Sequence, residues 1–98
     1  MKNGRFQVAL LGCGAISTAH AKAIAANNDI MDMYACCDII EERAVTRKEE
    51  YDAQIIYTDY LEMLRDPVID LVCICTPSGM HAEHAIACAK AGKSCLCE

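Results

Sequence analysis

The sequence lacks the long apolar runs, basic clusters and internal repeats that define several broad classes of protein. No apolar run approaches the roughly 20 residues that a bilayer-spanning helix needs, so we expect no membrane partner. Basic residues number 9 against 14 acidic ones, a net charge of -5, and they form no cluster that could follow a phosphate backbone. We therefore expect no nucleic-acid partner, and the 98 residues fit one domain without a linker.

Cysteine is abundant, but the spacings that would give it a special role are missing. Eight cysteines raise the alternatives of a disulfide framework or, together with His81 and His84, of a zinc site. The CxxC spacing of zinc sites does not occur, and seven of the cysteines lie in CxC pairs or in apolar and alanine-rich segments. Buried free thiols suit such positions and a reducing compartment. We therefore predict packed thiols, no metal site and a cytoplasmic protein.

Unbroken apolar segments indicate a buried sheet. Residues 6–11, 31–37 and 69–75 are predicted strands, and residues 54–57 and 93–97 are weaker candidates. Strands that are apolar on both faces are typical of a parallel sheet with helices on both sides. We therefore predict a mostly parallel sheet.

Helical patterns separate these strands. Residues 15–26 and 80–91 are alanine-rich, whereas residues 41–51 are charged and expected to be exposed over most of their surface. Asp59 begins a short helix between residues 41–51 and 80–91, and Gly92 stands where a left-handed helix cap is usual. Regular alternation of strand and helix predicts a doubly wound α/β fold of the Rossmann type, with right-handed crossovers.

A glycine turn joins the first predicted strand to the first helix. It reads Gly-Cys-Gly-Ala-Ile-Ser, a GxGxxG-like motif in which Ser17 replaces the third glycine. Gly12 permits the tight turn, and Gly14 leaves room for a pyrophosphate. The N–H groups of Ala15 and Ile16, at the positive end of the helix, can bind phosphate oxygens. A purely structural glycine turn is the alternative.

Asp38, at the end of the second predicted strand, bears on the choice of cofactor. Its carboxylate can accept hydrogen bonds from the adenosine ribose and would repel a 2'-phosphate, so NAD is favoured and NADP is less expected. Ile39 and Ile40 offer no partner for such a phosphate. The same carboxylate could also cap the following helix. A methyltransferase is the weaker alternative, because its glycine turn commonly follows an acidic residue where this chain has Leu10 and Leu11.

Residues 74–81, Ile-Cys-Thr-Pro-Ser-Gly-Met-His, form a second candidate segment of the site. They end a predicted strand and turn into a helix, with Pro77 fixing the turn and Ser78 or Gly79 able to cap the helix. The cofactor of a doubly wound sheet lies across the carboxyl ends of the strands. We therefore expect this loop to face the nicotinamide half of the cofactor.

Four separated motifs give the chain a family resemblance over nearly its whole length. They are the Gly-Cys-Gly turn, Asp38, the segment 75–81 and the closing Ala-Gly-Lys-Ser-Cys-Leu-Cys-Glu. Together they resemble the glucose-fructose oxidoreductase, inositol dehydrogenase and rhizopine-catabolism (Gfo/Idh/MocA) family. The resemblance implies that residues 1–98 are an NAD(P)-binding Rossmann domain. It also implies a substrate domain outside this chain and a catalytic lysine directly after Glu98, so we assign no catalytic residue within the chain.

The resemblance also implies a cofactor site. Its residues, by position in the family pattern, would be Gly12, Gly14, Ala15, Ile16, Asp38, Thr76, Pro77, His81 and Glu98, with Arg43 near the adenine end. For His81, a helix-surface or capping role is the alternative. His20 and His84 are predicted to be structural.

As an enzyme, the intact protein would transfer a hydride between a secondary alcohol of a sugar, nucleotide sugar or polyol and nicotinamide. The resemblance further implies a small-molecule substrate and a homo-oligomer, with this chain supplying dinucleotide binding and being inactive by itself. The Thr-Pro-Ser-Gly-x-His loop resembles members that oxidise the 3-hydroxyl of nucleotide-linked N-acetylglucosaminuronic acids. A non-catalytic dinucleotide-binding module or redox sensor is the alternative.

Overall fold

The computed structural model describes residues 1–15 and 17–97, so the predictions for Ile16 and Glu98 lie outside the described residues. Strands and helices alternate along the chain, as predicted. The strands are β1 (Phe6–Leu11), β2 (Met31–Cys37), β3 (Ile55–Tyr57), β4 (Leu71–Ile74) and β5 (Ser94–Cys97). The helices are α1 (Ser17–Ala26), α2 (Glu41–Tyr51), α3 (Tyr60–Met63) and α4 (His81–Lys90), with a 3-10 turn at Ser78–Met80.

The strands form one parallel sheet in the order β3-β2-β1-β4-β5. The chain winds outward from β1 through β2 to β3, then crosses to β4 and β5 on the other side. This is a doubly wound α/β sheet, and the predicted fold class is confirmed. The order reverses beside β1, where Leu11 pairs with Cys37 of β2 and Ile74 of β4. Such a switch point is where sheets of this type bind ligands, at the carboxyl ends of the strands.

Both faces of the sheet are buried, which explains why the strand segments are mostly apolar, with the polar residues Gln7, Asp32 and Asp70 near their starts. Side chains alternate between the two faces along a strand. Val8 and Leu10 of β1 belong to one buried cluster, together with Ala21 of α1. Ala9 and Leu11 belong to the other, which packs beneath α3 and α4. From Val8 to Leu11, residues on either face of β1 are thus excluded from water and are apolar, whereas Phe6 is exposed and the buried Gln7 side chain donates a hydrogen bond to Asp32 Oδ2.

Most predicted boundaries hold, and the exceptions have local causes. β4 is shorter than residues 69–75, because the Ile69 N–H donates to the Asp66 carbonyl in a turn before the strand. α1 begins at Ser17 rather than at residue 15. The Asp59 side chain caps α3 by accepting a hydrogen bond from Leu61 N, and Gly92 is left-handed with φ +73°. These two predictions are confirmed.

The cysteines are mostly packed as free thiols. Cys13, Cys36, Cys37, Cys73, Cys75 and Cys88 are buried. Burial raises the pKa of Cys37 to about 12 and also raises the pKa of Cys73, so these thiols stay protonated at neutral pH. The prediction of packed thiols is wrong for Cys95, which is exposed on β5, a strand whose described neighbour is β4 alone.

Residues 1–15 and 17–97 contain neither a cluster of metal-ligating side chains nor a helix suited to span a membrane. Within these ranges, no group of three or more histidine, cysteine, aspartate or glutamate side chains is arranged to hold a metal ion. None of the helices in the same ranges combines the length and the apolar character that crossing a membrane requires.

Candidate functional site

A cleft of about 720 Å³ opens at the carboxyl ends of β1, β2 and β4. Its walls are the glycine turn, the segment that follows β2 and the loop that follows β4. The lining residues are Gly12, Gly14, Ala15, Asp38, Ile39, Ile40, Arg43, Cys75, Thr76, Pro77, Met80 and His81. Eight of the ten predicted site residues therefore lie in one cleft. The other two, Ile16 and Glu98, are outside the described residues.

The two glycines of the turn are required for different reasons. Gly12 has φ +92°, and a Cβ atom there would lie 2.9 Å from the Cys75 carbonyl carbon and 3.0 Å from Thr76 N. Its missing side chain therefore lets the β1 turn pack directly on the backbone after β4. At Gly14 a Cβ atom would meet only Arg43 Nη1, at the ordinary distance of 3.9 Å. The fold itself leaves space at Gly14, and that space adjoins the cleft.

Asp38 joins the ends of β1 and β2. Its Oδ2 accepts a hydrogen bond of 2.9 Å from Cys13 N, and its Oδ1 accepts one of 2.9 Å from Ile40 N. The residue is 8% exposed, and each carboxylate oxygen can accept a further hydrogen bond from a group in the cleft. The alternative role of Asp38 as a helix cap is wrong: Ile40 is the N-cap of α2, and Asp38 closes a turn two residues earlier.

Arg47 is a part of the site region that the sequence did not reveal. The charged helix α2 was expected to be exposed, yet the Arg47 side chain is only 13% exposed. Its Nε donates to Ser17 Oγ at 3.0 Å, and its Nη2 donates to the Gly14 carbonyl at 3.2 Å. A smaller cavity of about 580 Å³ lies beside the main cleft and is lined by Arg43 and Arg47. Their i, i+4 spacing, which places both on one face of α2, was the available signal.

Two histidines of α4 hold Thr76 at the mouth of the cleft. His84 Nδ1 lies 2.8 Å from Thr76 Oγ1, and His81 Nε2 donates a hydrogen bond to the Thr76 carbonyl. His84 is 2% exposed, and its ring meets the Tyr60 ring edge-on with 4.5 Å between the centroids. Thr76 is therefore fixed through both its side chain and its backbone.

Burial lowers the pKa of His84 below 6.5. The nearby His81 lowers it further, whereas Glu83, whose Oε2 lies 3.9 Å from His84 Nε2, opposes the shift. Desolvation penalises the charged imidazolium, and the remaining neighbours, the Thr76 hydroxyl and the Tyr60 ring, carry no charge. His84 is thus a neutral hydrogen-bonding group at neutral pH.

We expect this buried histidine to make stability depend on pH. Below about pH 6.5 the unfolded chain protonates His84 while the folded chain does not. Stability therefore falls as the pH drops from about 6.5 toward the lower pKa of the folded state. In urea unfolding between pH 7.5 and 5, His84→Asn should show a shallower pH dependence than wild type, whatever its absolute stability.

A second variant checks the assignment. Glu83→Gln removes the negative charge that raises the pKa of His84, so this pKa should fall further. The loss of stability should then continue to a lower pH than in wild type. Equal pH slopes in wild type and His84→Asn would contradict the prediction.

Comparison with known proteins shows the family of the chain. Residues 6–98 match the sequence model of the oxidoreductase family with an NAD-binding Rossmann fold (GFO_IDH_MocA). The myo-inositol 2-dehydrogenase of Thermotoga maritima is 36% identical over 92 residues, which cover 94% of this chain and 27% of the relative. The scyllo-inositol 2-dehydrogenase (NADP(+)) of Bacillus subtilis is 38% identical over 71 residues, or 71% of this chain and 20% of the relative.

A solved structure gives the same result. The WlbA dehydrogenase from Bordetella pertussis, in complex with NADH and UDP-GlcNAcA, superposes with a TM-score of 0.89 at 30% identity. The match covers 95% of this chain and 29% of that one. This chain thus spans about a quarter of the length of these relatives. With its family match, parallel sheet and glycine turn, the chain belongs to the Gfo/Idh/MocA oxidoreductase family and is an NAD-binding Rossmann domain of that family.

Proposed function

We propose that the cleft at the carboxyl edge of the sheet binds NAD, and that the chain is the nucleotide-binding part of a dehydrogenase. The observation that carries the proposal is the convergence of the glycine turn, the Asp38 carboxylate and the Thr76–His81 loop on one cleft. These parts come from three different strand ends, and a dinucleotide is long enough to contact all of them.

Each part of the cleft suits a different part of the dinucleotide. Asp38 can accept hydrogen bonds from the adenosine ribose, with Arg43 nearby toward the adenine. The open space at Gly14 and the start of α1 suit a pyrophosphate, because helix N-termini attract anions. Thr76, Pro77 and His81 would lie toward the nicotinamide, and Ile16 and Glu98 would complete the set. When bound, NAD supplies the carbon that accepts or returns a hydride.

The preference for NAD over NADP rests on Asp38. Its carboxylate is held at the end of β2 by two backbone N–H groups, so it cannot easily turn away from a 2'-phosphate. One of the relatives is named as NADP-dependent, whereas WlbA was solved with NADH. We therefore propose NAD as the cofactor, with NADP bound more weakly.

The activity of the whole protein is a further part of the proposal. The relatives are named as inositol dehydrogenases, and WlbA holds a nucleotide sugar acid. We propose hydride transfer between a secondary alcohol of a sugar, nucleotide sugar or polyol and nicotinamide. The substrate domain and the catalytic lysine would lie outside this chain, and the intact protein would be a homo-oligomer. The buried free thiols support a reducing, cytoplasmic environment.

The test is a calorimetric titration of this chain with NAD and NADP. Wild type should bind NAD saturably and more tightly than NADP. Gly14→Val should weaken NAD binding at least about tenfold, because its side chain would occupy the space meant for the pyrophosphate. The fold should persist, since a Cβ atom there makes no close contact.

Gly4→Ala is the binding control for this experiment. Gly4 has φ +74°, so the methyl group adds backbone strain, but nothing lies within 4 Å of it and Gly4 does not line the cleft. Its NAD affinity should equal that of wild type. Tight NAD binding by folded Gly14→Val would refute the proposed position of the pyrophosphate.

A further inference from the structure

The Arg47 guanidinium is built into the underside of the glycine turn. Beyond its bonds to Ser17 and Gly14, Nη2 donates to Thr18 Oγ1 at 2.9 Å and Nη1 donates to Glu50 Oε1 at 2.6 Å. The partners other than Glu50 belong to the glycine turn or the first turn of α1. The Arg47 guanidinium of α2 therefore stabilises the local structure of this turn and is not left exposed to solvent.

The hydrogen bond from Arg47 to the Gly14 carbonyl helps to orient the peptide between Gly14 and Ala15. The Gly14 carbonyl accepts hydrogen bonds from Ser17 N at 3.1 Å, from Ser17 Oγ at 2.6 Å and from Arg47 Nη2 at 3.2 Å. The peptide is trans, so its N–H points opposite to its carbonyl. Holding the carbonyl toward Arg47 and Ser17 therefore turns the Ala15 N–H away from these two side chains, and Ala15 lines both the main cleft and the smaller cavity beside it.

This orientation decides whether the turn attracts or repels an anion. With the N–H toward the cleft, the peptide offers a donor and the positive end of its dipole. If the peptide turned over, a carbonyl oxygen would face the same space and repel a phosphate. The backbone here has few steric restraints, because Gly14 has no side chain. On the Gly14 side of the peptide, hydrogen bonds to the carbonyl supply restraint instead.

Ser17 connects this arrangement to the altered glycine motif. It stands where the third glycine is usual and is fully buried. Its hydroxyl donates to the Gly14 carbonyl and accepts from Arg47 Nε. A buried hydroxyl without partners would cost free energy, so Arg47 and the Gly14 carbonyl together satisfy the serine.

We propose that Arg47 is a positioning residue for the pyrophosphate of the bound dinucleotide, acting through the Gly14–Ala15 peptide. The inference rests on the proposed function of the cleft. Arg47 itself need not touch the ligand, and Glu50 partly offsets its charge. Its contribution comes from the planar fork of donors, which reaches Ser17, Gly14 and Thr18 at once. A lysine in its place would keep the charge but could not make the same set of bonds.

The experiment compares ligands with and without a pyrophosphate. NAD, ADP and adenosine are titrated into wild type, Arg47→Met and Arg47→Lys, with Arg65→Met as the matched control on an exposed arginine outside the cleft. Arg47→Met should weaken NAD and ADP binding roughly tenfold or more, the effect of losing one hydrogen bond to a charged group. Adenosine binding should change less than about twofold. Arg47→Lys should resemble Arg47→Met, and Arg65→Met should resemble wild type.

A second readout needs no ligand. The Ala15 amide signal in the nitrogen–proton NMR spectrum of the unliganded chain should shift in Arg47→Met and not in Arg65→Met. Circular dichroism checks that each variant is folded, and Arg47→Gln, which keeps an amide donor, replaces Arg47→Met if that variant does not fold.

The outcomes separate this inference from the proposed function. If wild type binds neither NAD nor ADP, the proposed function fails and the inference fails with it. If wild type binds both but Arg47→Met binds equally well, only the inference fails. Equal losses for adenosine and ADP, an unchanged Ala15 amide or full binding by Arg47→Lys would also overturn it.

Discussion

Gly12→Ala is expected to lower the free energy of unfolding by about 3 kcal/mol or more. A side chain at φ +92° carries a backbone strain of about 1–2 kcal/mol. The new methyl group would also lie 2.9 Å from the Cys75 carbonyl carbon, and overpacking of this kind costs about 1–3 kcal/mol. Urea unfolding followed by circular dichroism measures the sum.

A matched control separates strain from contact. Gly92 is left-handed with φ +73°, but a Cβ atom there would meet nothing within 4 Å. Gly92→Ala should therefore show only the backbone strain, about 1 kcal/mol. Equal destabilisation by the two substitutions would mean that the contact with Cys75 and Thr76 carries no cost. The stability of the turn would then not depend on the close approach of Gly12 to the backbone that follows β4.

Asp38→Ala is expected to have the largest effect on ligand binding. It removes the acceptor proposed for the adenosine ribose and frees the N–H groups of Cys13 and Ile40, which shape the adjoining backbone. We expect NAD to bind about a hundredfold more weakly, because a hydrogen bond to a charged group and the preorganisation of the turn are lost together. NADP should lose less, since a repulsive charge also disappears. Calorimetry with both cofactors measures the change in preference.

The structural share of this effect can be measured separately. A buried N–H without a partner costs about 1–3 kcal/mol, so Asp38→Ala should also destabilise the fold by about that amount. Asp38→Asn keeps the shape and one acceptor oxygen, but its amide group must face one of the two backbone donors. It should retain more stability than Asp38→Ala while still losing preference for NAD. A parallel fall of NAD and NADP affinity in both variants would contradict the assignment of Asp38 as the discriminating residue.

Gly12 and Gly14 differ in whether the protein itself leaves room for a side chain, and this difference separates tests of the fold from tests of ligand binding. Gly12 is constrained by the protein itself, through the backbone after β4, whereas Gly14 is left open by the fold. Substitution at Gly12 therefore tests the architecture, and substitution at Gly14 tests the ligand. A defect in binding at Gly14 without a defect in stability is the result that would distinguish a working cofactor site from a structural turn.

Features of this protein that depend on local pattern could be predicted from the amino-acid sequence. The bounds of β1 and β2 follow from largely apolar segments, because a strand buried on both faces favours apolar side chains, and the polar Gln7 and Asp32 do not end them. The turn at Gly12 and the position of Asp38 at the end of β2 follow from the order of motifs along the chain. The family could be recognised for the same reason, since each of its four separated motifs is a short, local stretch of sequence.

Other features depend on which segments become neighbours in the folded protein, and these could not be predicted from the sequence. Arg47 looks like any other charge on α2, and it is buried only because α2 packs beside the turn before α1. Aspartate is a residue type that often caps helices, but the Cys13 N–H, which follows the neighbouring strand β1, binds the Asp38 carboxylate instead. Cys95 is exposed because β5 pairs with β4 alone among the described strands. Such contacts join residues far apart in sequence, and their geometry is fixed only when the sheet assembles.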